Sequence, residues 1–430
     1  MDAVFDAQFR AMRDAFLDKN VDIRVAYTRS GDVDYLYEEG RLLALRRPDQ
    51  NPVDQLARVL PGIRPTGEEI RLGPARDDAA ASLLVMSVDD LEQGALRVPE
   101  ALELLDSELG ALNPGRGPDG VPLATPAHVL HVSRICPAGE PEVPPSVMDG
   151  PFPSPRAARP VVRPVRIGVC DTGLLEDLPP VRYDWLKGVT GEPDPLGRML
   201  PNGRREIPQY TGHGTFVAGV ARCVAPSSDI VVTDHLSASG GELEYEIIRE
   251  LDELIRTYRP DVVNLSAGTY CRNDREPLGF LALRRRWPDV TFVAAAGNDA
   301  TDRPFYPAAL PWVVSVGALG PDERHRAWFS NYGDWVDVYA LGEGMVNAYA
   351  TGEYRYLEPP RRPATQWFQG MARWDGTSFS APVVAGLIAA RCAETGEPPE
   401  IAAASVLAAA DVIDGVGRVL SLGAGTRTGG

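Results

Sequence analysis

Apolar residues recur at helical spacing in Phe5, Phe9, Met12 and Phe16, which predicts an amphipathic helix near the start of the chain. Val21–Tyr27 and Asp34–Tyr37 read as short strands. A regular order follows: strand at Leu42–Arg46, helix at Pro52–Leu60, strands near Glu69–Leu72 and at Leu83–Ser87, helix at Pro99–Leu109, strand at His128–Ser133. Past residue 165 the pattern changes. The apolar runs Val165–Val169, Ile230–Thr233, Val262–Leu265, Thr291–Ala296 and Val313–Val316 have the length of buried parallel strands. Helices are expected at His213–Val224, Glu242–Tyr258, Pro277–Arg286, Ser378–Thr395 and Pro399–Ala410. This alternation implies an α/β fold with a mainly parallel sheet.

Residues 134–164 separate the two patterns. They are dense in proline, which resists both helix and central strand, and they read as a flexible linker. The expected organisation is a small α+β domain over residues 1–133, ferredoxin-like in its βαββαβ order, then the linker, an α/β domain over 165–422 and a Gly-rich flexible tail over 423–430.

Composition narrows the function classes. Of 430 residues, 44% are hydrophobic and 24% charged, ordinary values for a globular protein able to bury a core. A formal charge of -17 argues against a general nucleic-acid binder or an anionic membrane surface as partner. The first twenty residues are interrupted by Asp2, Asp6, Arg10, Arg13 and Asp14, which fits neither a secretory leader nor a membrane helix. The cysteines Cys136, Cys170, Cys223, Cys271 and Cys392 form no metal-ligand spacing and read as reduced thiols, so the expected compartment is the cytoplasm. His128 and His131 read as structural or surface residues, and Glu242, Glu244, Glu246 and Glu250 as the wet face of a helix rather than a metal site.

Three segments carry chemistry. Ile167-Gly-Val-Cys-Asp171-Thr-Gly173 ends an apolar strand on a carboxylate followed by a turn. Thr211-Gly-His213-Gly-Thr-Phe-Val-Ala-Gly219 sets a histidine between glycines at the head of a helix. Gly376-Thr-Ser378-Phe-Ser-Ala-Pro382 places a serine at a helix start, where free amides and the dipole favour developing negative charge. An acid, a base and a nucleophile are what acyl transfer at neutral pH requires.

Together, in the order Asp, His, Ser, these segments resemble the subtilisin-like serine proteases over roughly Val165 to Ala410. The resemblance implies a subtilisin-like three-layer fold, with Asp171, His213 and Ser378 as the catalytic triad. It implies that Asn298, at the end of Val293-Ala-Ala-Ala-Gly-Asn298, donates to the oxyanion alongside the Ser378 amide. It implies that Ser266, Ala267 and Gly268 line the primary specificity pocket, and that the segment from Leu236 to Gly241 is the other substrate-binding strand. A protein or peptide substrate, enclosed between them as an added strand, is the implied partner. No cofactor is required. A structural calcium site of the family type, built from backbone carbonyls, would leave no mark in the sequence, and no compact acidic calcium loop is present.

The N-terminal domain resembles the pro-domain of these proteases, which acts as an intramolecular chaperone and inhibitor. Ala124–Ser133 resembles its last strand, so the residues just after it are expected in the active-site cleft and open to self-cleavage. The long linker departs from the family pattern, as does Glu343–Arg373, an aromatic-rich stretch that reads either as an insertion at the active-site rim or as a packed surface loop. Two other function classes remain open at this level: a non-catalytic peptide-binding protein on a protease fold, and an esterase or peptide ligase using the same triad.

Overall fold

A computed structural model describes residues 3–46, 51–71, 82–88, 96–108, 121–132, 139–144, 155–176, 178, 183–236, 239–357 and 364–422. The expected tail 423–430 lies outside them.

In the N-terminal domain, helix α1 (Ala3–Asp18) precedes strands β1 (Ile23–Tyr27) and β2 (Val33–Arg46). Two strands were expected where β2 is one: the chain runs on through Gly40, with a register irregularity between Tyr37 and Leu42. Helix α2 (Pro52–Leu56), β3 (Arg64–Arg71), β4 (Ser82–Ser87), α3 (Val98–Glu108) and β5 (Thr125–His131) complete the unit. The sheet order β5-β2-β4-β3, antiparallel throughout, is that of the ferredoxin-like arrangement. Tyr35, Tyr37, Leu42, Leu84 and Met86 on one face pack with Ala101, Leu102 and Leu105 of α3.

The C-terminal domain holds a nine-stranded sheet whose centre is β13-β12-β11-β6-β9, all parallel. These strands are β6 (Arg166–Asp171), β9 (Asp229–Asp234), β11 (Val262–Leu265), β12 (Thr291–Ala295) and β13 (Val313–Leu319). Short strands β7 (Val189–Gly191) and β8 (Glu206–Ile207) lie between β6 and helix α4 (His213–Val224). Because parallel strands are covered on both faces, their alternate residues serve two cores. Ile167, Val169, Val232 and Val293 pack with α4 and with α7 (Thr377–Thr395), whereas Cys170, Val231, Val263 and Phe292 pack with α5 (Glu244–Tyr258) and α6 (Leu278–Arg286). The expected helix start at Glu242 is instead a strand, β10 (Gly241–Leu243).

The second of those cores does not stop at the domain boundary. Phe16, Leu43, Leu83, Val85 and Val129 of the N-terminal domain join Ile247, Leu251 and Leu283 in one apolar cluster. The face of the N-terminal sheet away from α2 and α3 is therefore covered by α5 and α6. Strand β5 also pairs antiparallel with β10, Leu130 opposite Glu242, which extends the N-terminal sheet into the second domain.

The stretch Glu343–Arg373 is neither loop nor rim insertion alone. It folds into the hairpin β15 (Met345–Arg355) and β16 (Thr365–Trp374), with Tyr349, Tyr354, Phe368 and Trp374 buried. Strand β14 (Val338–Leu341) precedes it, and α8 (Pro399–Ala408), β17 (Asp411–Ile413) and β18 (Gly417–Leu420) close the domain. Parts of the proline-rich linker are fastened down. Glu142 and Arg373 exchange backbone hydrogen bonds at 2.8 and 2.7 Å, and the Val162 amide donates to the Ala393 carbonyl at 2.7 Å.

Candidate active site

Asp171 ends β6, where parallel strands fan apart at their carboxyl ends and leave a crevice. His213 opens α4 and Ser378 stands in the first turn of α7, so all three expected residues converge on that edge from different elements. Asp171 Oδ1 lies 2.7 Å from His213 Nδ1 and accepts the Thr172 amide at 2.9 Å. Asp171, His213, Ser378 and Asn298 are 0, 1, 2 and 6% exposed, so water is excluded from the group and its electrostatic interactions are strong. The Ser378 hydroxyl donates to the Ser266 carbonyl at 3.2 Å, and the Ser266 hydroxyl donates to the Ser378 carbonyl at 2.9 Å.

The glycines around His213 answer to space as well as conformation. Gly212 has φ 89°, and a Cβ there would stand 2.9 Å from the Tyr349 ring; a Cβ on Gly214 would stand 2.5 Å from the Gly173 carbonyl oxygen. The helix head is thereby drawn against the turn after Asp171, which brings imidazole to carboxylate. The imidazole is also boxed in by rings: Trp374 meets it edge-on at 5.3 Å between centroids and Phe379 at 5.4 Å. The aromatic hairpin thus reaches the centre of the site through Trp374.

Asn298 is held by Thr377, whose amide and hydroxyl donate to Oδ1 at 2.9 and 2.8 Å. With Oδ1 occupied as an acceptor, the orientation of the carboxamide is set and Nδ2 is presented as a donor. The Gly297 amide in turn donates to the Thr377 hydroxyl at 3.1 Å, which ties the end of β12 to the head of α7.

Sequence reasoning missed Asp194. Its Oδ2 accepts the Gly212 amide at 2.6 Å and the Thr172 hydroxyl at 3.0 Å, and the Thr172 oxygen accepts the Gly214 amide at 3.0 Å. One carboxylate therefore links both glycines flanking His213 with the residue after Asp171. Burial pushes the Asp194 carboxyl up to about 7, helped by the charges of Asp234 and Asp171 and opposed by the two bonds it accepts. It lies nineteen residues before His213 in an irregular segment, with no pattern to flag it.

The proposed substrate strands are occupied. His131 and Gly268 exchange backbone bonds, His131 N to Gly268 O at 2.8 Å and Gly268 N to His131 O at 3.0 Å, and the Val132 amide donates to the Gly240 carbonyl at 2.8 Å. The end of β5 thus runs as a middle strand between Gly240–Leu243 and Gly268. Ser266 and Ala267 are buried beside it, whereas Leu236 is buried behind the site with its amide donating to the Asp171 carbonyl at 3.1 Å. Further along, the Gly139 carbonyl accepts the Trp374 indole N–H at 2.8 Å.

One expectation is corrected at this interface. Glu244 is not on a wet face but fully buried, 2.8 Å from His128 Nδ1 and accepting the Gly279 amide at 2.7 Å. His128 and His131 are both buried in the contact between the domains. Among the described residues no cluster of three or more His, Cys, Asp or Glu could hold a metal ion, and no helix is long and apolar enough to cross a membrane.

The model of the subtilase family (Peptidase_S8) matches residues 163–422, well over half of the chain. The chain is 30% identical over 275 residues to a thermophilic serine proteinase of Bacillus sp. (strain AK1), covering 60% of this chain and 59% of that protein. It is 29% identical over 242 residues to an intracellular serine protease of Paenibacillus polymyxa, covering 53% of this chain and 66% of that one. Among solved structures it is similar to a cold adapted subtilisin-like serine proteinase, at 23% identity and a TM-score of 0.44, covering 66% of this chain and 94% of the other. The chain spans 59 and 66% of the length of the two curated relatives.

Proposed function

Since the chain belongs to the subtilase family, with the family's α/β fold in its C-terminal domain, we propose that it is a serine endopeptidase acting on a protein or peptide substrate, with residues 165–422 as its catalytic domain. The observation that carries the reading is the buried Asp171–His213 contact at 2.7 Å beside a serine at a helix head. In this reading the Ser378 hydroxyl turns from the Ser266 carbonyl to His213 Nε2, gives up its proton there and attacks a peptide carbonyl. Asp171 holds the imidazole tautomer and stabilises the imidazolium. Asn298 Nδ2 and the Ser378 amide take the oxyanion. His213 then protonates the leaving amine, and water releases the acyl group. No step calls for a cofactor. A cytoplasmic site of action is part of the proposal and draws on the likeness to an intracellular protease.

The N-terminal domain, residues 1–133, acts in this proposal as chaperone and inhibitor held in cis. Its last strand fills the cleft in the manner of a substrate. In an antiparallel pair hydrogen-bonded residues alternate, so a substrate strand held opposite Gly268 as His131 is presents the residue two places on to Ser266, the residue that touches Ser378. The bond cut in this proposal lies among the residues just after β5.

The test is labelling of the full-length chain with a fluorescent fluorophosphonate beside its Ser378→Ala variant, with intact mass on both. Labelling of the wild type alone is expected, together with a fragment ending just after β5. Full-length mass in both proteins would reject self-cleavage. A chain that stays unlabelled even after proteolytic loss of residues 1–133 would reject the endopeptidase.

A further inference from the structure

The endopeptidase reading leaves open which side chain precedes the cut; the packing around Phe305 answers it. Strands β11 and β12 lie side by side, Leu265 opposite Ala294, and their continuations 266–268 and 296–298 part as the sheet ends. The space between those continuations is where a side chain entering beside Ser266–Gly268 must go. Phe305 fills it. A Cβ on Gly268 would stand 2.4 Å from Phe305 Cε1, and a Cβ on Gly297 would stand 3.2 Å from Phe305 Cδ1 and Cγ. One ring thus touches the backbone of both walls, and both walls are glycine at the point of contact.

The ring has nowhere to retreat. Phe305 is 0% exposed. Its neighbour Tyr306 exchanges backbone bonds with Thr269 at 2.7 and 2.9 Å, which locks Phe305 beside Gly268. Behind it the Tyr270 ring meets it edge-on at 5.1 Å between centroids, and the Tyr270 hydroxyl is fixed by donating to Asp299 Oδ2 at 2.7 Å. Alternation along the bound strand shows which substrate positions face this ring. The His131 ring meets Phe305 edge-on at 6.0 Å, so His131 points to its side of the strand, and in a substrate strand of the same register positions two apart share that side.

We propose that Phe305 is the specificity-determining residue of this site: it floors the primary pocket and restricts the residue before the scissile bond to small side chains such as Gly, Ala or Ser. This rests on the endopeptidase reading. A bulky side chain there would have to displace a packed ring, and overpacking of that kind is strongly disfavoured.

The experiment compares kcat/KM of the full-length protein on two peptides identical except for Ala or Phe before the cut. Wild type should prefer Ala by about 100-fold or more, the order of discrimination that pocket size supplies. Phe305→Gly should raise cleavage after Phe and shrink the ratio by about tenfold or more, and Phe305→Leu, which keeps most of the packing, should fall between. Cleavage after Phe by the wild type within about threefold of Ala would overturn the proposal whether or not the variants fold. So would an unchanged ratio in a Phe305→Gly protein that still labels with fluorophosphonate, or no cleavage of either peptide by a wild type that labels. Failure to label even after proteolytic loss of residues 1–133 would bring down the endopeptidase reading itself, and the two failures are thereby told apart.

Discussion

At the residue scale the site depends on side chains held by their neighbours rather than on the triad alone. Asn298 is oriented by two bonds from Thr377, so Asn298→Ala removes a prepared donor without disturbing the acid or the base. Turnover should fall about 10²–10³-fold with little change in KM, a magnitude measured in this same family rather than derived from the geometry here. Steady-state kinetics on one peptide checks it, and a rise in KM with turnover unchanged would show that Asn298 serves binding instead. Asp194 makes a different prediction. Its folded value near 7 lies above the ordinary carboxylate value of about 4, so folding takes up a proton and the stability from this group falls as pH rises through that window. Asp194→Asn keeps the acceptor for Gly212 and Thr172 but not the charge. Its melting temperature should therefore gain on the wild type between about pH 5 and about pH 8. A constant difference across that range would mean that the Asp194 carboxyl does not titrate there.

At the element scale, β5 is the piece that joins the domains. It is a strand of the N-terminal sheet, a partner of β10 and, through His131, a partner of Gly268. Its inward face carries His128 against Glu244, with both side chains buried. Truncating Glu244 leaves the His128 ring and the Gly279 amide buried without their hydrogen-bond partner, which costs about 1–3 kcal/mol for each. Glu244→Ala should thus lower stability by that order in denaturant unfolding of the Ser378→Ala chain, and a loss below about 1 kcal/mol would show that water or a neighbour replaces the contact. The hairpin β15–β16 is the other element of consequence, since it carries Trp374 onto His213 and anchors Gly139 and Glu142.

At the scale of the whole molecule, the two domains share a core. Leu43, Leu83, Val85 and Val129 find their cover on α5 and α6, so separation would expose a broad apolar face on each side. After self-cleavage the fragments should co-elute on size exclusion until the N-terminal piece is digested; immediate separation would contradict the shared core. Glu38 adds a pH term. It accepts the Tyr245 hydroxyl at 3.1 Å across the interface, and burial raises its carboxyl to about 7, whereas in a released domain it returns to about 4. Docking therefore takes up a proton, and the interface should loosen as pH rises between those values. Hydrogen exchange of the β5–β10 amides in the Ser378→Ala chain should quicken with pH beyond the intrinsic rate. Glu38→Gln should remove that excess.

Much of this was legible along the chain because it is local. Strand and helix periods gave both domain classes, and Asp171, His213 and Ser378 stood out because turns and helix heads impose glycine and small residues on their immediate neighbours. The burial of Glu244 was not legible, since a glutamate in the first turn of an amphipathic helix looks solvated until a second domain supplies His128 opposite it. Asp194 and Phe305 had no local pattern at all. Each acts through contacts with residues far away in sequence, Asp194 with Thr172 and Gly212, Phe305 with Gly268 and Gly297. The sequence by itself determined the alternation of elements, the family and which residues are proposed to react, because backbone geometry and motif spacing are properties of short segments. The tertiary structure alone decided that the end of β5 lies between Gly240 and Gly268, that an acid ties the glycines around the histidine, and that a phenylalanine packs between Gly268 and Gly297, because each follows from groups meeting across separate strands and helices.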